Sequence, residues 1–299
     1  MSTLPDMKPV VESQGVKLYC PVDGRFAFFN SPYPAHKENT GVDIYPGDGF
    51  GGEAVSPVDG EVTLIRRVRA PSGRGFKASD HDTVVLIQNK DNPETVTKLL
   101  HIDPLVEVGE NVRVGNPIGV TLRSGYYGWG TSPHLHAEIR TSDDAIRARG
   151  GYYLNLIDAK YGDLLEEITG KVVHLQPEYA LIKLETRCSG LMGTVNGEPA
   201  IIEGGIPYYG WVGAHIEKPP VIGSIELLGE QISTITERFH QSCKGTGNNY
   251  SFTIKNEKIL GLSLTLWANY QPLIKAIPLK KGGLNLEKDE WVNVELKVS

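Results

Sequence analysis

The sequence predicts a mainly β protein of antiparallel sheets followed by a second β-rich, sandwich-like domain, and three observations carry that. Short apolar or alternating runs recur along most of the chain, bounded by turn residues. The 34 glycines and 19 prolines are spread rather than clustered, as many tight turns require. At 299 residues the chain exceeds what one core usually supports, so two domains are expected.

Residues 1–15 read as an N-terminal extension. Within the first domain, 16–150, strand patterns cover 41–45, 60–65, 83–88, 96–101 and 117–121, then a run around 134–140. A polar, glycine-bearing loop separates them at 69–82, and a glycine-aromatic loop follows at 125–130. Leu154, Ile157, Tyr161, Leu164, Leu165 and Ile168 recur at helical spacing, predicting an amphipathic helix over 154–168 inside a connecting segment, 151–170. Strand patterns return at 179–185, 224–228, 250–254, 262–267 and 291–296, which defines the second domain, 171–299.

Composition removes several function classes. A net charge of −6 without a Lys/Arg run argues against general nucleic-acid binding. No apolar run is long enough to span a membrane. The first twenty residues lack both a basic and an apolar signal region, so a cytoplasmic location is the default expectation. Cys20, Cys188 and Cys243 contain no CxxC pair and read as reduced core thiols, with a Cys188–Cys243 bridge as the alternative in an oxidising compartment.

The most informative stretch is Thr131-Ser-Pro-His-Leu-His-Ala-Glu-Ile-Arg140. In a strand, residues i and i+2 share a face, so the His134 and His136 rings can converge, while Leu135, Ala137 and Ile139 fill the other face. The plain alternative is two polar residues on a solvated strand face.

Two further pieces precede it. One is Asn39-Thr-Gly-Val-Asp-Ile-Tyr-Pro46 with Ala54-Val-Ser-Pro-Val-Asp-Gly-Glu-Val62 after it. The other is Leu100-His-Ile-Asp103, followed by the glycine–valine spacer Val108-Gly-Glu-Asn-Val-Arg-Val-Gly-Asn-Pro-Ile-Gly119. In this order the pieces resemble the M23 family of zinc metallopeptidases, the lysostaphin-like or LytM-type cell-wall endopeptidases, over roughly residues 20–140. The resemblance implies an M23-like peptidase domain that binds Zn2+ and cleaves peptide bonds, with a peptidoglycan-type crosslink as substrate. It implies that Asp43 and His136 are zinc ligands and that His101 and His134 sit beside the attacking water or the scissile carbonyl. The chemistry is coherent: a zinc with three protein ligands keeps an open position, and neutral or protonated imidazoles can move protons beside it. Which of the two histidines accepts the proton stays open. A wall hydrolase without a leader would need release by lysis, a phage-like particle or unconventional export.

The pattern breaks at one position. The family's first motif is H-x-G-x-D; Gly41 and Asp43 match, but Asn39 stands at the His position. His36 lies seven residues before Asp43, an odd spacing that a strand cannot bring to one face. Pro34 and Lys37-Glu-Asn-Thr40 allow a loop there, so His36 is expected as the third ligand. In the alternative, Asn39 offers a poor amide oxygen and the domain is a catalytically inactive scaffold or binding module. A third reading, a carbohydrate-binding β protein, rests on Tyr126, Tyr127 and Trp129. Asp103 and Glu138 read as surface carboxylates, with the alternative that they orient a ligand histidine. His81, His174, His215 and His240 read as structural.

Overall fold

The computed structural model describes residues 4–47 and 49–298. The chain forms two compact units, one of residues up to 26 together with 33–158, the other of 27–32 together with those from 159 onward.

The first unit contains β1 (Met7–Ser13), β2 (Val16–Pro21), all but the last residue of β3 (Arg25–Ala27), a one-turn helix α1 (Pro34–Lys37), β4 (Val42–Tyr45), β5 (Glu53–Val55) and β6 (Gly60–Arg69). β7 (His81–Asn89), β8 (Thr95–Leu100), β9 (Ile102–Pro104), β10 (Asn111–Val112), β11 (Pro117–Thr121), β12 (Leu135–Thr141) and β13 (Asn155–Leu156) follow. Its main sheet includes the order β10-β6-β7-β8-β12-β4, each neighbour antiparallel. Residues 7–13, read from sequence as part of an extension, pair with β2 and β13.

β12 is the strand that positions the site. Leu135, Ala137 and Ile139 pack inward on one face, as the alternation predicts. The opposite face is buried as well: His136, Glu138 and Arg140 are at most 5% exposed. A strand between two neighbours and covered on both faces cannot slip by one residue without moving charges into the apolar layer, so its register is strongly specified. That register sets His136 opposite Asp43 of β4, and Glu138 opposite Lys98 of β8.

The helix expected over 154–168 does not form. Asn155 and Leu156 pair with β1 instead, and Asp158 takes a left-handed φ of 56°. Gly162 packs so closely that a Cβ there would lie 2.8 Å from that of Cys188. Leu164 and Tyr161, which an amphipathic helix would bury, are exposed. The apolar spacing therefore comes from residues serving separate contacts. Among the described residues no helix is long and apolar enough to cross a membrane.

In the second unit, β14 (Ile168–Gln176) and β15 (Tyr179–Leu184) lead into β16 (Leu191–Val195), β17 (Glu198–Ile206), β18 (Trp211–His215), β19 (Ser224–Leu227), β20 (Glu230–Arg238) and β21 (Ser242–Thr246). The order β16-β19-β20-β21-β18-β17, with an added β16–β17 pairing, closes these six strands into a ring. Closure removes exposed strand edges, a detail that the pattern of alternating runs does not carry. Phe28 and Phe29 are fully buried in this unit, and the Phe29 N–H donates to Glu203 Oε1 at 2.7 Å. His215 Nε2 pairs with Glu203 Oε2 at 2.7 Å. The three cysteines are buried and free, which excludes the Cys188–Cys243 bridge.

Ile139 has no exposed surface. Ile139→Ala is expected to lower the unfolding free energy of the first unit by about 3 kcal/mol in chemical denaturation, and a loss below about 1 kcal/mol would contradict its place in the core.

Candidate metal centre

The site begins with a turn. Pro34 occupies the first position of α1, where its missing N–H costs nothing. The helix ends after one turn because Asn39 adopts φ 55°, a left-handed conformation that Asn tolerates better than most residues. The N–H groups of Thr40 and Gly41 both donate to the Ala35 carbonyl, at 2.8 and 3.1 Å, and close the turn. This is how an odd sequence spacing brings His36 beside Asp43: the intervening chain passes through a helical turn and a left-handed residue before it enters β4 at Val42. Gly41 is needed there, since a Cβ would lie 2.6 Å from His136 Cε1 and 2.9 Å from Ala35 Cβ.

His36, Asp43 and His136, each at most 5% exposed, then converge. His36 Nε2 lies 3.1 Å from Asp43 Oδ1 and 3.1 Å from His136 Nδ1, and His136 Nδ1 lies 2.9 Å from Asp43 Oδ1. Donors about 2.0–2.1 Å from a tetrahedral ion stand about 3.3 Å apart, so a small spreading of this cluster would admit one. Two imidazole nitrogens and a carboxylate oxygen form a donor set that suits zinc. Burial opposes the ionisation of Asp43, but His134, His36 and His136 around it hold the carboxyl well below the usual range. Asn39 Nδ2 donates to the Leu154 carbonyl at 3.0 Å, tying down the backbone.

Behind His136 stands a buried charge network. His136 Nε2 faces Glu138 Oε1 at 3.2 Å and Nδ1 faces Asp43 Oδ1 at 2.9 Å, so a metal ion taken up at Nδ1 would leave the ring proton on Nε2, held by Glu138. Glu138 also receives Lys98 Nζ at 2.7 Å and the Arg140 guanidinium. Burial raises the Glu138 pKa, but His136 and Lys98 outweigh it and bring it down to about 2. Reading Glu138 as a surface carboxylate was therefore wrong, because the supposedly solvated face of β12 is covered. Asp103 is an exposed residue of β9.

Two more imidazoles complete the cluster. His134 Nε2 lies 3.4 Å from Asp43 Oδ2, and its Nδ1 lies 2.9 Å from the Ser132 carbonyl oxygen. Burial pushes His134 down to about 3, against the opposing pull of Asp43. His101 follows the end of β8 with φ 69°, and its ring centroid is 5.3 Å from that of His134 and 6.2 Å from that of His136. Tyr127, from the glycine-aromatic loop, packs 5.0 Å from His101 and 4.9 Å from His134, and its hydroxyl donates to the His134 carbonyl. Tyr126 is exposed and meets Tyr33 edge-on.

Asp82 was missed by sequence reasoning. It is 2% exposed, and its Oδ2 lies 2.6 Å from His101 Nδ1. It fell at the boundary between the polar loop and an apolar strand, where the pairing of β7 with β8 alone reveals its neighbour. His81 bonds Asp80, Ser79 and Arg67, outside the cluster.

Comparison with known proteins adds the following. Residues 17–156 match a family described as "Domain of unknown function (DUF8155) N-terminal domain". No curated protein matches the chain. Among solved structures the chain is similar to a mutant catalytic domain of the prophage-encoded M23 protein EnpA from Enterococcus faecalis, at 21% identity over 38% of this chain and 72% of that one, with a TM-score of 0.25. It is similar to the catalytic domain of the antimicrobial peptidase lysostaphin from Staphylococcus simulans, at 20% identity over 40% and 80%, TM-score 0.27. A longer lysostaphin structure from the same organism aligns at 16% identity over 84% and 95%, TM-score 0.27.

The folded carboxyl of Glu138 titrates near 2 against an ordinary 4.5, so its contribution to stability is complete above about 4.5 and is lost as pH falls through 2. Acid titration of unfolding is expected to show a decline of roughly 3 kcal/mol across that window. Asp43 and Asp82, also held low, add to the acid decline, so Glu138→Gln should remove only the share that belongs to Glu138; an unchanged slope would contradict the network.

Proposed function

We propose that the first unit is a zinc-dependent endopeptidase of the M23 type that hydrolyses peptide bonds, with a peptidoglycan-type crosslink peptide as substrate. The observation that carries this reading is the convergence of His36 Nε2, Asp43 Oδ1 and His136 Nδ1, with His101 and His134 alongside. The substrate class rests on the order of the three sequence motifs. The second unit would hold substrate or the wall.

Zinc held by His36, Asp43 and His136 would supply Lewis acidity, polarising the scissile carbonyl and making water a better nucleophile. The chain's own residues do the rest. Asp43 stays anionic and offsets the ion's charge. Glu138 keeps the His136 ring turned so that Nδ1 faces the cluster. His101 and His134 are placed to take a proton from the attacking water and return it to the leaving amine, and to steady the charge that builds on the carbonyl oxygen. The buried rings of Tyr127 and Tyr45 beside His134 keep bulk water away from these transfers.

Metal analysis of the purified protein is expected to find stoichiometric zinc, lost in His36→Ala. Asn39→Ala should keep its zinc while losing about 1 kcal/mol of stability, because Ala tolerates the left-handed turn poorly. Zinc retained by His36→Ala would remove His36 from the centre, and a folded wild type that takes up none would favour the inactive scaffold. On glycine-rich and crosslinked wall peptides, His101→Ala and His134→Ala are expected to lower kcat about 10²–10⁴-fold with zinc still bound. Full activity in either variant would contradict its role.

A further inference from the structure

Asp82 lies outside all three motifs, yet its carboxylate is engaged on every side. Oδ1 accepts the backbone N–H of Thr83 at 2.8 Å and that of His101 at 2.9 Å. Oδ2 accepts the Ser124 hydroxyl at 2.6 Å and faces His101 Nδ1 at 2.6 Å. The donors on Oδ1 are main-chain groups that cannot reverse, so they fix the orientation of the carboxylate. An acceptor held against Nδ1 requires that nitrogen to carry the ring proton, which leaves the lone pair of His101 on Nε2.

His134 is held differently. Its Nδ1 faces the neutral carbonyl oxygen of Ser132, and the carboxylate near its Nε2, Asp43 Oδ2 at 3.4 Å, belongs to the group proposed to hold the metal. A carboxylate stabilises the imidazolium that forms when a proton arrives, whereas a carbonyl does so less, because a hydrogen bond between charged partners is about twice as strong as a neutral one.

We infer that Asp82 is a positioning residue that fixes His101 as its Nδ1–H tautomer, and that His101, rather than His134, takes the proton of the attacking water on Nε2. The tautomer stands on hydrogen bonds alone; the destination of the proton rests on the peptidase reading. As the water oxygen bonds to the scissile carbonyl carbon, one of its protons passes to Nε2. That proton goes to the amine nitrogen as the C–N bond breaks, giving a carboxylic acid and an amine and returning His101 to neutral. Burial alone would raise the pKa of Asp82, but His101 and the bonds from His101, Ser124 and Thr83 hold it well below the carboxylate range. Asp82 is therefore charged throughout.

The test is Asp82→Asn, which keeps shape and removes charge. The two backbone donors select the amide oxygen at the Oδ1 position, which turns the NH2 group toward His101 Nδ1. His101 must then accept at Nδ1 and carry its proton on Nε2, a tautomer that cannot take a proton there. Long-range 15N–1H correlation spectra of the metal-free proteins read this directly: a protonated Nδ1 in wild type and a protonated Nε2 in Asp82→Asn. In the zinc-loaded enzyme, kcat should fall about 10²–10⁴-fold in Asp82→Asn, with KM within about threefold. Ser124→Ala should keep the wild-type tautomer and lose less than about tenfold in kcat, since it removes one neutral donor.

A wild-type His101 protonated on Nε2 would overturn the inference, even if Asp82→Asn fails to fold. So would a folded Asp82→Asn that keeps Nδ1–H, or a Ser124→Ala that loses as much kcat with its tautomer unchanged. Absence of zinc uptake and peptidase activity in wild type would instead overturn the proposed function, so the two failures are told apart.

Discussion

The pairing of β4 with β12 is the constraint on which the rest depends. It sets Asp43 directly opposite His136, so a carboxylate and an imidazole meet by register rather than by the reach of flexible side chains. β12 is covered on both faces, and a slip by one residue would drive His136, Glu138 and Arg140 into the place of Leu135, Ala137 and Ile139. No loop geometry could define two donor atoms as tightly. The third donor, His36, is added by a single helical turn whose end closes on Ala35 and whose Gly41 leaves room for the His136 ring.

Such a register comes with buried charge, and buried charge is tolerable only when paired. The first unit meets that condition on both sides of His136. Toward the cluster, Asp43 is surrounded by His36, His134 and His136; behind it, Glu138 is held between Lys98 and Arg140. Three of the four imidazoles have one nitrogen facing a fixed partner: Glu138 for His136, Ser132 for His134 and Asp82 for His101. Those partners decide what the other nitrogen can do. A carboxylate behind a histidine strengthens it as a ligand or as a proton acceptor, and a carbonyl fixes orientation with a smaller electrostatic effect.

Much of this was legible in the sequence because strands have a period of two. The HxH pair and its alternating apolar residues announced β12, and Gly41 and Asp43 announced β4. His36 could be named because Pro34 and the polar residues after it allow a loop there and the other four site residues are present. What sequence could not carry was the identity of residues brought in by neighbouring strands. Glu138 looks solvated until Lys98 and Arg140 close over it, and Asp82 has no motif until β7 lies beside β8. The failed helix at 154–168 has the opposite origin: apolar residues at helical spacing occurred by chance in a segment where a short pairing with β1 and the tight approach of Gly162 to Cys188 prevail. In the second unit the alternating runs revealed strands, whereas ring closure depends on the long-range pairings of β16, which no local pattern encodes.

The central claim is that two imidazoles and one carboxylate, drawn from α1, β4 and β12, hold a zinc ion. X-ray absorption at the zinc edge of the metal-loaded protein tests it most directly. The expected spectrum shows two imidazoles with oxygen or nitrogen neighbours only, at about 2.0–2.1 Å, and one imidazole fewer in His36→Ala. A wild-type spectrum with a single imidazole, or one unaltered by the loss of His36, would contradict the account.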